Sequence, residues 1–271
     1  MSVAVSSSTL TSVRRLSSRS VRRYGWIPDL PDRRDFIYAA PAPVLARLPS
    51  STDLRPACPP VYDQGALGSC TANAIAAALE FDQMRQKAPD VFVPSRLFIY
   101  YNERAIEGNV GEDAGAMIRD GIKSVAQVGA PHESTWPYVI AKFRVKPPAA
   151  AFTDAAAHQA LLYQRLRPRA DQLRGCLASG FPFVFGFTVY ESFESVAVSK
   201  TGHVPLPAPL ESPIGGHAVM AVGYDDARAW FIVRNSWGSD WGMRGYFTMP
   251  YDYLLDPNLC DDFWTIRRVE G

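Results

Sequence analysis

The sequence predicts an α+β fold in which a helical half of the chain is followed by a sheet half. From Asp53 to about Arg144 the chain consists mainly of helix-forming stretches, whereas after Pro147-Pro148 it carries apolar runs rich in β-branched and aromatic residues. Segregation of helices from strands along the chain is typical of α+β domains. A cleft between the two halves is the expected place for a ligand site.

Three helices are predicted in the first half. The first runs from Cys70 to about Lys87, contains no Pro or Gly after its start, and ends before Pro89. The second covers Ser95 to Glu107, and the third covers Ala114 to Gln127.

The second half is predicted to contain one helix near Ala170 to Ala178 and a set of strands. The prolines at 205, 207, 209 and 213 indicate an irregular loop just before His217. The predicted strands are Phe181 to Tyr190, His217 to Tyr224, Trp230 to Asn235, Gly245 to Met249 and Phe263 to Arg267.

Two stretches of different character precede the helices. Residues 1 to 25 are rich in Ser and Arg and lack the apolar run of a secretory signal, so a disordered basic tail is expected. Residues 24 to 47 combine large apolar side chains with prolines at 28, 31, 41 and 43, which forbid a long helix. We expect an extended segment or hairpin that lies against the rest of the protein.

Composition excludes several classes of protein. The net charge of +1 gives no field that would attract nucleic acid or a membrane surface, and no apolar run reaches the roughly 18 residues of a membrane helix. The four cysteines form no C-x-x-C pair, and if one is a working thiol the other three cannot all pair, so a disulfide framework is not expected. No pair of Cys and His has a spacing typical of zinc.

One cysteine stands where a nucleophile would be expected. The run D-Q-G-A-L-G-S-C, residues 63 to 70, places Cys70 in the first turn of a predicted helix, whose N–H groups favour a thiolate. His217 opens a strand after two glycines, and Asn235 ends the next strand, so the two side chains are expected to be neighbours. Gln64 could supply a second donor for an oxyanion beside the Cys70 N–H.

These blocks resemble the papain family of cysteine peptidases, in particular its compact bacterial members. V-Y-D-Q-G-A-L-G-S-C matches the block around the family's nucleophile, and G-H-A-V-M-A-V-G-Y matches that around its catalytic histidine. N-S-W-G-S-D-W-G-M-R-G-Y, residues 235 to 246, matches a family signature at every fixed position.

The resemblance implies a role for each residue of the motifs. Cys70 would be the nucleophile, His217 the general base and acid, Asn235 the group that orients the imidazole, and Gln64 part of the oxyanion hole. Trp237 would shield the His–Asn hydrogen bond from water. The residues implied for substrate binding are Trp237, Gly68, Gly115 and Gly216.

The chain departs from the family pattern at two places. It has L-G-S-C-T where the family usually has C-G-S-C-W, so a family disulfide is absent and Thr71 replaces an aromatic side chain behind the nucleophile. The family's C-x-G-G stretch corresponds only to E-D-A-G-A, residues 112 to 116, in which Gly115 is retained. The resemblance therefore says little about specificity.

We therefore predict a papain-like fold with a barrel-like antiparallel sheet half and the active-site cleft between the halves. Residues 1–47 would form the basic tail and a short prosegment, residues 48–146 the helical half with the nucleophile, and residues 147–271 the sheet half with His217 and Asn235.

The predicted function is that of a cysteine-type endopeptidase working through a thioester, with the N-terminal segment as an intramolecular inhibitor. We expect a peptide or protein substrate, a monomer, no metal or organic cofactor, no nucleic acid and no membrane, and by default a cytoplasmic location. The alternatives are an acyltransferase or amidase with the same first half-reaction, and a binding protein that does not turn over.

Overall fold

A computed structural model describes residues 24–270, so all but Tyr24 and Gly25 of the predicted basic tail lies outside the described residues. The described helices are not long and apolar enough to cross a membrane. Short 3₁₀ helices lie at Arg55–Ala57, Ile140–Lys142 and Glu191–Glu194. The α-helices are α1 (Ala42–Leu45), α2 (Cys70–Gln86), α3 (Arg96–Glu107), α4 (Ile118–Gln127), α5 (Ala149–Ala155), α6 (Ala170–Ala178), α7 (Val196–Thr201) and α8 (Tyr251–Leu254).

Helix α2 is the central element of the helical half. Its first fourteen residues, Cys70 to Gln83, are all buried, so the helix has no solvent-facing polar stripe over that length. Its alanines allow close approach of the neighbours, since α2 packs against α3, α4 and the strands behind it. The helix ends where Lys87 adopts a left-handed conformation.

The sheet half is built on long antiparallel strands. Within the described residues the strand order is β4-β9-β5-β6-β7-β8, with β2 paired to β6, and this sheet is not closed into a barrel. The α+β prediction is thus confirmed, but the barrel-like form is not observed. The strands are β1 (Trp26–Ile27), β2 (Ser51–Asp53), β3 (Ala116–Met117), β4 (Ala160–Arg165), β5 (Phe183–Tyr190), β6 (Pro213–Asp225), β7 (Trp230–Arg234), β8 (Tyr246–Pro250) and β9 (Cys260–Val269).

The N-terminal segment is part of the folded structure. Its strand β1 pairs in parallel with β3, with Trp26 opposite Ala116 and Ile27 opposite Met117. This pairing explains why α4 starts at Ile118 and not at the predicted Ala114, since residues 116 and 117 serve as strand partners. Further along, Ile37 forms a parallel bridge with Arg165. The segment is therefore extended, as its prolines predict.

Two strand predictions differ from the structure. Strand β6 begins at Pro213, so the predicted irregular loop ends before that proline, which as the first residue of a strand needs no ladder hydrogen bond. Strand β4 escaped prediction because its sequence, A-L-L-Y-Q-R, shows neither alternation nor β-branched residues. β4 lies at the sheet edge, where it pairs with β9 and, through Arg165, bridges to Ile37, and this explains why only Ala160 of its six residues is fully buried.

Aromatic side chains fill the core on one face of the sheet. Phe185 lies on β5 with no exposed surface, and its ring stacks on that of Phe263 with centroids 5.5 Å apart. Phe183 and Phe187 extend the same cluster along β5. The sheet is thereby held rigid beside the strand that carries His217.

We expect Phe185→Ala to lower the free energy of unfolding by about 3–5 kcal/mol, because a buried ring leaves a cavity that the packed sheet cannot fill. Leu210→Ala serves as the control, since Leu210 is 98% exposed. Urea denaturation measures both variants. A loss at Phe185 no larger than that at Leu210 would contradict the assignment of this cluster as the core.

Candidate active site

Cys70 is the first residue of α2 and is completely buried. The preceding loop brings it there through Gly68, whose N–H donates to Asp113 Oδ1 at 3.1 Å. Asp113 also accepts a hydrogen bond of 2.5 Å from the Tyr100 hydroxyl, which in turn accepts one from the Gly115 N–H at 3.2 Å. A single carboxylate thus fixes the backbone at Gly68 directly and at Gly115 through the Tyr100 hydroxyl.

The loop before Cys70 pairs with the residues that follow β7. Asp63 and Trp237 form an antiparallel bridge, in which the Gln64 N–H donates to the Ser236 carbonyl at 2.8 Å. The buried Arg234 guanidinium donates to the carbonyls of Pro59 and Pro60, each at 2.5 Å. These contacts hold the helical and sheet halves in register at the site.

His217 and Asn235 are neighbours, as their places on adjacent strands predict. His217 Nε2 lies 2.8 Å from Asn235 Oδ1, which also accepts from the Ser236 N–H at 2.8 Å. The backbone donor fixes which amide atom is the oxygen, so Nε2 carries the proton and Nδ1 is left as the base. Nδ1 is buried and has no hydrogen-bond partner among residues 24–270.

The Trp237 ring stacks on the imidazole, with centroids 5.0 Å apart and planes inclined by 30°. Trp237 is itself almost fully buried between the imidazole and the ring of Trp241. The His217–Asn235 hydrogen bond is therefore covered by an aromatic face, in keeping with the shielding role expected for Trp237.

Gln64 is oriented by two contacts. Its Nε2 donates to the Leu67 carbonyl at 2.9 Å, and its Oε1 accepts from Ser236 Oγ at 2.6 Å. The second proton on Nε2 remains for an oxyanion. Sequence reasoning missed Ser236 as a positioning residue, although it stands inside the N-S-W-G signature.

The substitution of Thr71 for an aromatic residue is accommodated by a polar contact. Thr71 Oγ1 donates to Glu103 Oε2 at 2.8 Å, and Glu103 is fully buried. Burial raises the pKa of the Glu103 carboxyl well above its usual value. The buried hydrogen bond between Thr71 and Glu103 behind α2 therefore stands where the family usually has an aromatic ring.

All the residues predicted to bind substrate lie against residues 24–26. A Cβ on Gly25 would be 1.7 Å from the Gly68 carbonyl oxygen, and one on Gly115 would be 2.3 Å from the Gly25 carbonyl oxygen. A Cβ on Gly216 would be 2.7 Å from the Trp26 carbonyl oxygen. The Tyr24 ring lies 6.4 Å from that of Trp237 and 6.0 Å from that of His217.

Comparison with known proteins identifies the family of this chain. A family profile described as papain family cysteine protease matches residues 48–261, most of the chain. The chain belongs to the papain family of cysteine peptidases. The resemblance drawn from the three sequence blocks is thereby confirmed.

The relatives in this family differ in the share of their own length that this chain covers. An uncharacterized peptidase C1-like protein of Acanthamoeba polyphaga mimivirus is 43% identical over 92% of this chain and 88% of its own length. Procathepsin L of Felis catus is 28% identical over 78% of this chain and 63% of its own, so the chain spans less than two thirds of that protein. The crystal structure of xylellain, a cysteine protease from Xylella fastidiosa, superimposes on this chain with a TM-score of 0.86. The two sequences are 47% identical, and the match covers 90% of this chain and 95% of xylellain.

In this peptidase, burial disfavours the charged forms of the thiol and the imidazole. Burial raises the pKa of Cys70 to about 12, and backbone hydrogen bonds from Ala218 and Gly25 only partly offset the rise. Burial also lowers the pKa of His217 to about 4, against the effect of its bond to Asn235. With residues 24–26 in place, burial therefore favours the neutral thiol and the neutral imidazole, whereas the position of Cys70 at a helix start predicts a thiolate.

Buried ionic contacts anchor the N-terminal segment next to the site. Asp29 Oδ1 accepts from the Arg119 N–H, and its Oδ2 accepts from Trp264 Nε1, both at 3.0 Å. The Arg119 guanidinium also pairs with Asp35 at 2.6 Å. Trp26 Nε1 donates to Asp262 Oδ2 at 3.0 Å, and that oxygen accepts the Asp29 N–H at 2.7 Å.

One group of side chains in the described part of the chain has the donor atoms of a metal site. His132, Asp154 and His158 place three such atoms within 4.8 Å of one another. His132 Nδ1 lies 3.0 Å from Asp154 Oδ1, and Phe92 stacks on its ring. None of these three residues belongs to the catalytic motifs. The sequence did not predict this group, because only Cys and His pairs were tested for a zinc-type spacing and one of its three members is Asp154.

Stability is expected to fall as pH rises through the pKa of Asp262. Burial, followed by the charge of Asp29, raises the pKa of Asp262 to about 7; Asp261 adds to the rise, and Arg165 opposes it. Since the folded-state pKa lies above the unfolded one, this carboxyl stabilises the fold at low pH, and that contribution disappears near neutrality.

Asp262→Asn removes this titration while keeping an acceptor. Between about pH 5 and pH 8, the unmodified chain should lose roughly 1–3 kcal/mol more unfolding free energy than the variant. Urea denaturation of both proteins across this range measures the difference. Parallel pH profiles would contradict the raised pKa of Asp262.

Proposed function

We propose that this cysteine peptidase is an endopeptidase that acts through a thioester on Cys70 and is held latent by its own N-terminal segment. The observation that carries the proposal is that residues 24–26 occupy the four positions predicted to bind substrate. Gly25 also hydrogen-bonds to the Cys70 sulfur through its backbone. A substrate could not reach the thiol while this segment remains.

The geometry supports a role for each group in acylation. His217 Nδ1 takes the thiol proton, and the sulfur attacks the substrate carbonyl carbon. Charge develops on the carbonyl oxygen, which accepts hydrogen bonds from Gln64 Nε2 and the Cys70 N–H; such a donor is worth roughly 2.7–4 kcal/mol. The C–N bond then breaks, and His217 returns the proton to the leaving amine.

Deacylation repeats these steps with water in place of the thiol. His217 takes a proton from a water molecule, and the water oxygen attacks the thioester carbon. The carbon–sulfur bond breaks and the sulfur regains its proton, so enzyme and carboxylic acid product are released. Asn235 keeps Nδ1 of His217 unprotonated for both half-reactions by accepting the Nε2 proton.

The path of the segment favours an endopeptidase. Tyr24 lies beside His217 and Trp237 on one side of Gly25, and Trp26 pairs with Ala116 on the other side. The cleft therefore accepts peptide on both sides of the thiol, as cleavage within a chain requires. We propose the divisions 1–47, 48–146 and 147–271, with the mature enzyme starting near Leu48, where the family profile also begins.

Cys70→Ala should abolish peptide-amide hydrolysis and labelling by a vinyl-sulfone reagent, while near-ultraviolet circular dichroism remains that of the unmodified chain. Cys58→Ser is the control, because Cys58 lies outside the site and should keep both activities. Mass spectrometry locates the label. More than a trace of hydrolysis in a folded Cys70→Ala protein would overturn the nucleophile assignment.

Gly186→Ala tests latency in the full chain. A Cβ at this position would lie 2.0 Å from Trp26 Cε2, and the nearest atoms it meets all belong to Trp26, so the substitution should expel the segment. We expect a small thiol reagent to label Cys70 at least about tenfold faster. This corresponds to a loss of roughly 1.4 kcal/mol in the free energy with which the segment docks.

The matched control is Gly111→Ala, whose Cβ would meet nothing within 4 Å. A second pair consists of Trp26→Ala and Phe36→Ala, since Phe36 is exposed. If Gly186→Ala and Trp26→Ala are folded and label no faster than their controls, the segment is not an inhibitor.

A further inference from the structure

Two histidines and an aspartate that take no part in catalysis meet where the loop after α4 packs on the end of α5. His132 lies in that loop, Asp154 lies in the last turn of α5, and His158 follows the helix. The Ala130 N–H donates to the His158 carbonyl at 3.1 Å, and the His132 N–H donates to Asp154 Oδ2 at 3.0 Å. Backbone contacts therefore hold the two segments together before any ligand binds.

The distances within this group suit ligands of one ion. Asp154 Oδ1 lies 3.0 Å from His132 Nδ1 and 3.5 Å from His158 Nε2. Two ligands of a tetrahedral ion with bonds of about 2.0–2.1 Å lie roughly 3.3 Å apart. The contact of 3.5 Å is longer than most hydrogen bonds. An ion shared with Asp154 therefore accounts for the place of His158 better than a shared proton does, and rotation of its ring completes the set of three ligands.

Asp90 supports His132 from the opposite side of the imidazole. His132 Nε2 lies 2.8 Å from Asp90 Oδ2. A histidine that binds a metal through one ring nitrogen usually donates the N–H of the other nitrogen to a carboxylate or a carbonyl, which fixes the tautomer. With the proton on Nε2, Nδ1 of the neutral ring presents a lone pair on the side of Asp154. The pair of His132 and Asp90 thus has the form of a ligand and its supporting carboxylate.

Asp154 is oriented in the same way. Its Oδ2 accepts a hydrogen bond of 2.7 Å from Thr135 Oγ1 in addition to the one from the His132 N–H. Carboxylates that bind metals are themselves held by hydrogen bonds of this kind. These two donors fix the carboxylate plane, so that Oδ1 is the oxygen nearest to both imidazoles.

Phe92 packs against both imidazoles. Its ring stacks on that of His132 with centroids 3.8 Å apart, and it meets the ring of His158 edge to face at 4.6 Å. The three donor side chains are only 19–26% exposed, which restricts their movement but leaves a route to solvent. An ion can therefore enter and keep a water molecule as its fourth ligand.

Charge and donor type together indicate the class of ion. The carboxylates of Asp90 and Asp154 supply two negative charges around the neutral imidazoles, and a divalent cation balances them. Mg²⁺ and Ca²⁺ prefer oxygen ligands throughout, whereas two imidazoles with one carboxylate suit zinc and similar transition metals. The donor set therefore favours a zinc-type ion.

We propose that His132 Nδ1, Asp154 Oδ1 and His158 Nε2 bind a zinc-type divalent cation, with Asp90 as the supporting carboxylate of His132. The ion would cross-link the loop after α4 to the end of α5 and stabilise the helical half of the fold. This site differs from the sequence-based expectation of no metal, and it does not depend on the proposed function.

Calorimetric titration of Zn²⁺ into the untagged full chain carrying Cys70→Ala tests the site, because this substitution removes a thiol that could bind zinc by itself. We expect one ion to bind per chain. Addition of His158→Ala should weaken binding at least about 100-fold, and Asp90→Asn, which keeps all three ligands, about tenfold. His203→Ala is the matched control, since His203 stacks on Trp230 away from the site, and it should leave the affinity unchanged.

Thermal unfolding with and without the ion gives a second readout. At a hundredfold excess over Kd, Zn²⁺ should raise the Tm of the Cys70→Ala chain by about 5 °C, because the ion binds the folded state only. The rise should disappear in the chain that also carries His158→Ala, whatever the Tm of that variant without zinc. Mg²⁺ at the same concentration should leave the Tm of both proteins unchanged.

Co²⁺ in place of Zn²⁺ reports on the ligands directly. The visible spectrum should be that of a cobalt ion bound by nitrogen and oxygen, without a sulfur-to-cobalt charge-transfer band. Such a band would overturn the assignment, as would zinc binding that His158→Ala does not weaken or an equal rise in Tm with Mg²⁺. If the chain binds no zinc, His132 is only the centre of an ion pair with its two carboxylates, and the proposal is wrong.

Discussion

The site depends on one short stretch of backbone pairing between the two halves of the fold. Residues 62–64 run beside residues 236–238, with hydrogen bonds from the Gln64 N–H to Ser236 and from the Gly238 N–H to Tyr62. This pairing fixes the loop that leads to Cys70 against the block that carries Asn235 and Trp237. Cys70, Gln64 and His217 come from distant parts of the sequence, and these few bonds set the spacing between them.

The same burial that excludes water from the cleft also keeps the catalytic pair neutral. Desolvation raises the pKa of Cys70 and lowers that of His217, and residues 24–26 contribute to this desolvation by covering both. Under the proposed function, release of the segment would do two things at once. It would open the cleft to substrate, and it would let water stabilise the thiolate and imidazolium.

Much of the site could be predicted because its signals are local. The break-free run after Cys70 gives the start of α2, and the spacing of β6 and β7 makes His217 and Asn235 neighbours. Contacts between distant segments gave no such signal: the β1–β3 pairing that delays α4, the edge strand β4, the open sheet, and the close approach of Trp26 to Gly186 and Gly216. A glycine in a strand signals close approach, but not which residue approaches.

The path of the segment through the cleft also explains why Cys70 would not cleave the segment there. Gly25 lies so close to Gly68 that any side chain at this position would meet the Gly68 carbonyl at 1.7 Å. A substrate residue with a side chain must therefore pass through the same cleft at a greater distance from Gly68 than Gly25 does. Meanwhile Trp26 and Asp29 hold the segment from one side through Asp262. Anchoring at Asp262, combined with a backbone path that lies too close to Gly68 for any residue but glycine, is the arrangement expected of the proposed inhibitor, which binds without reacting.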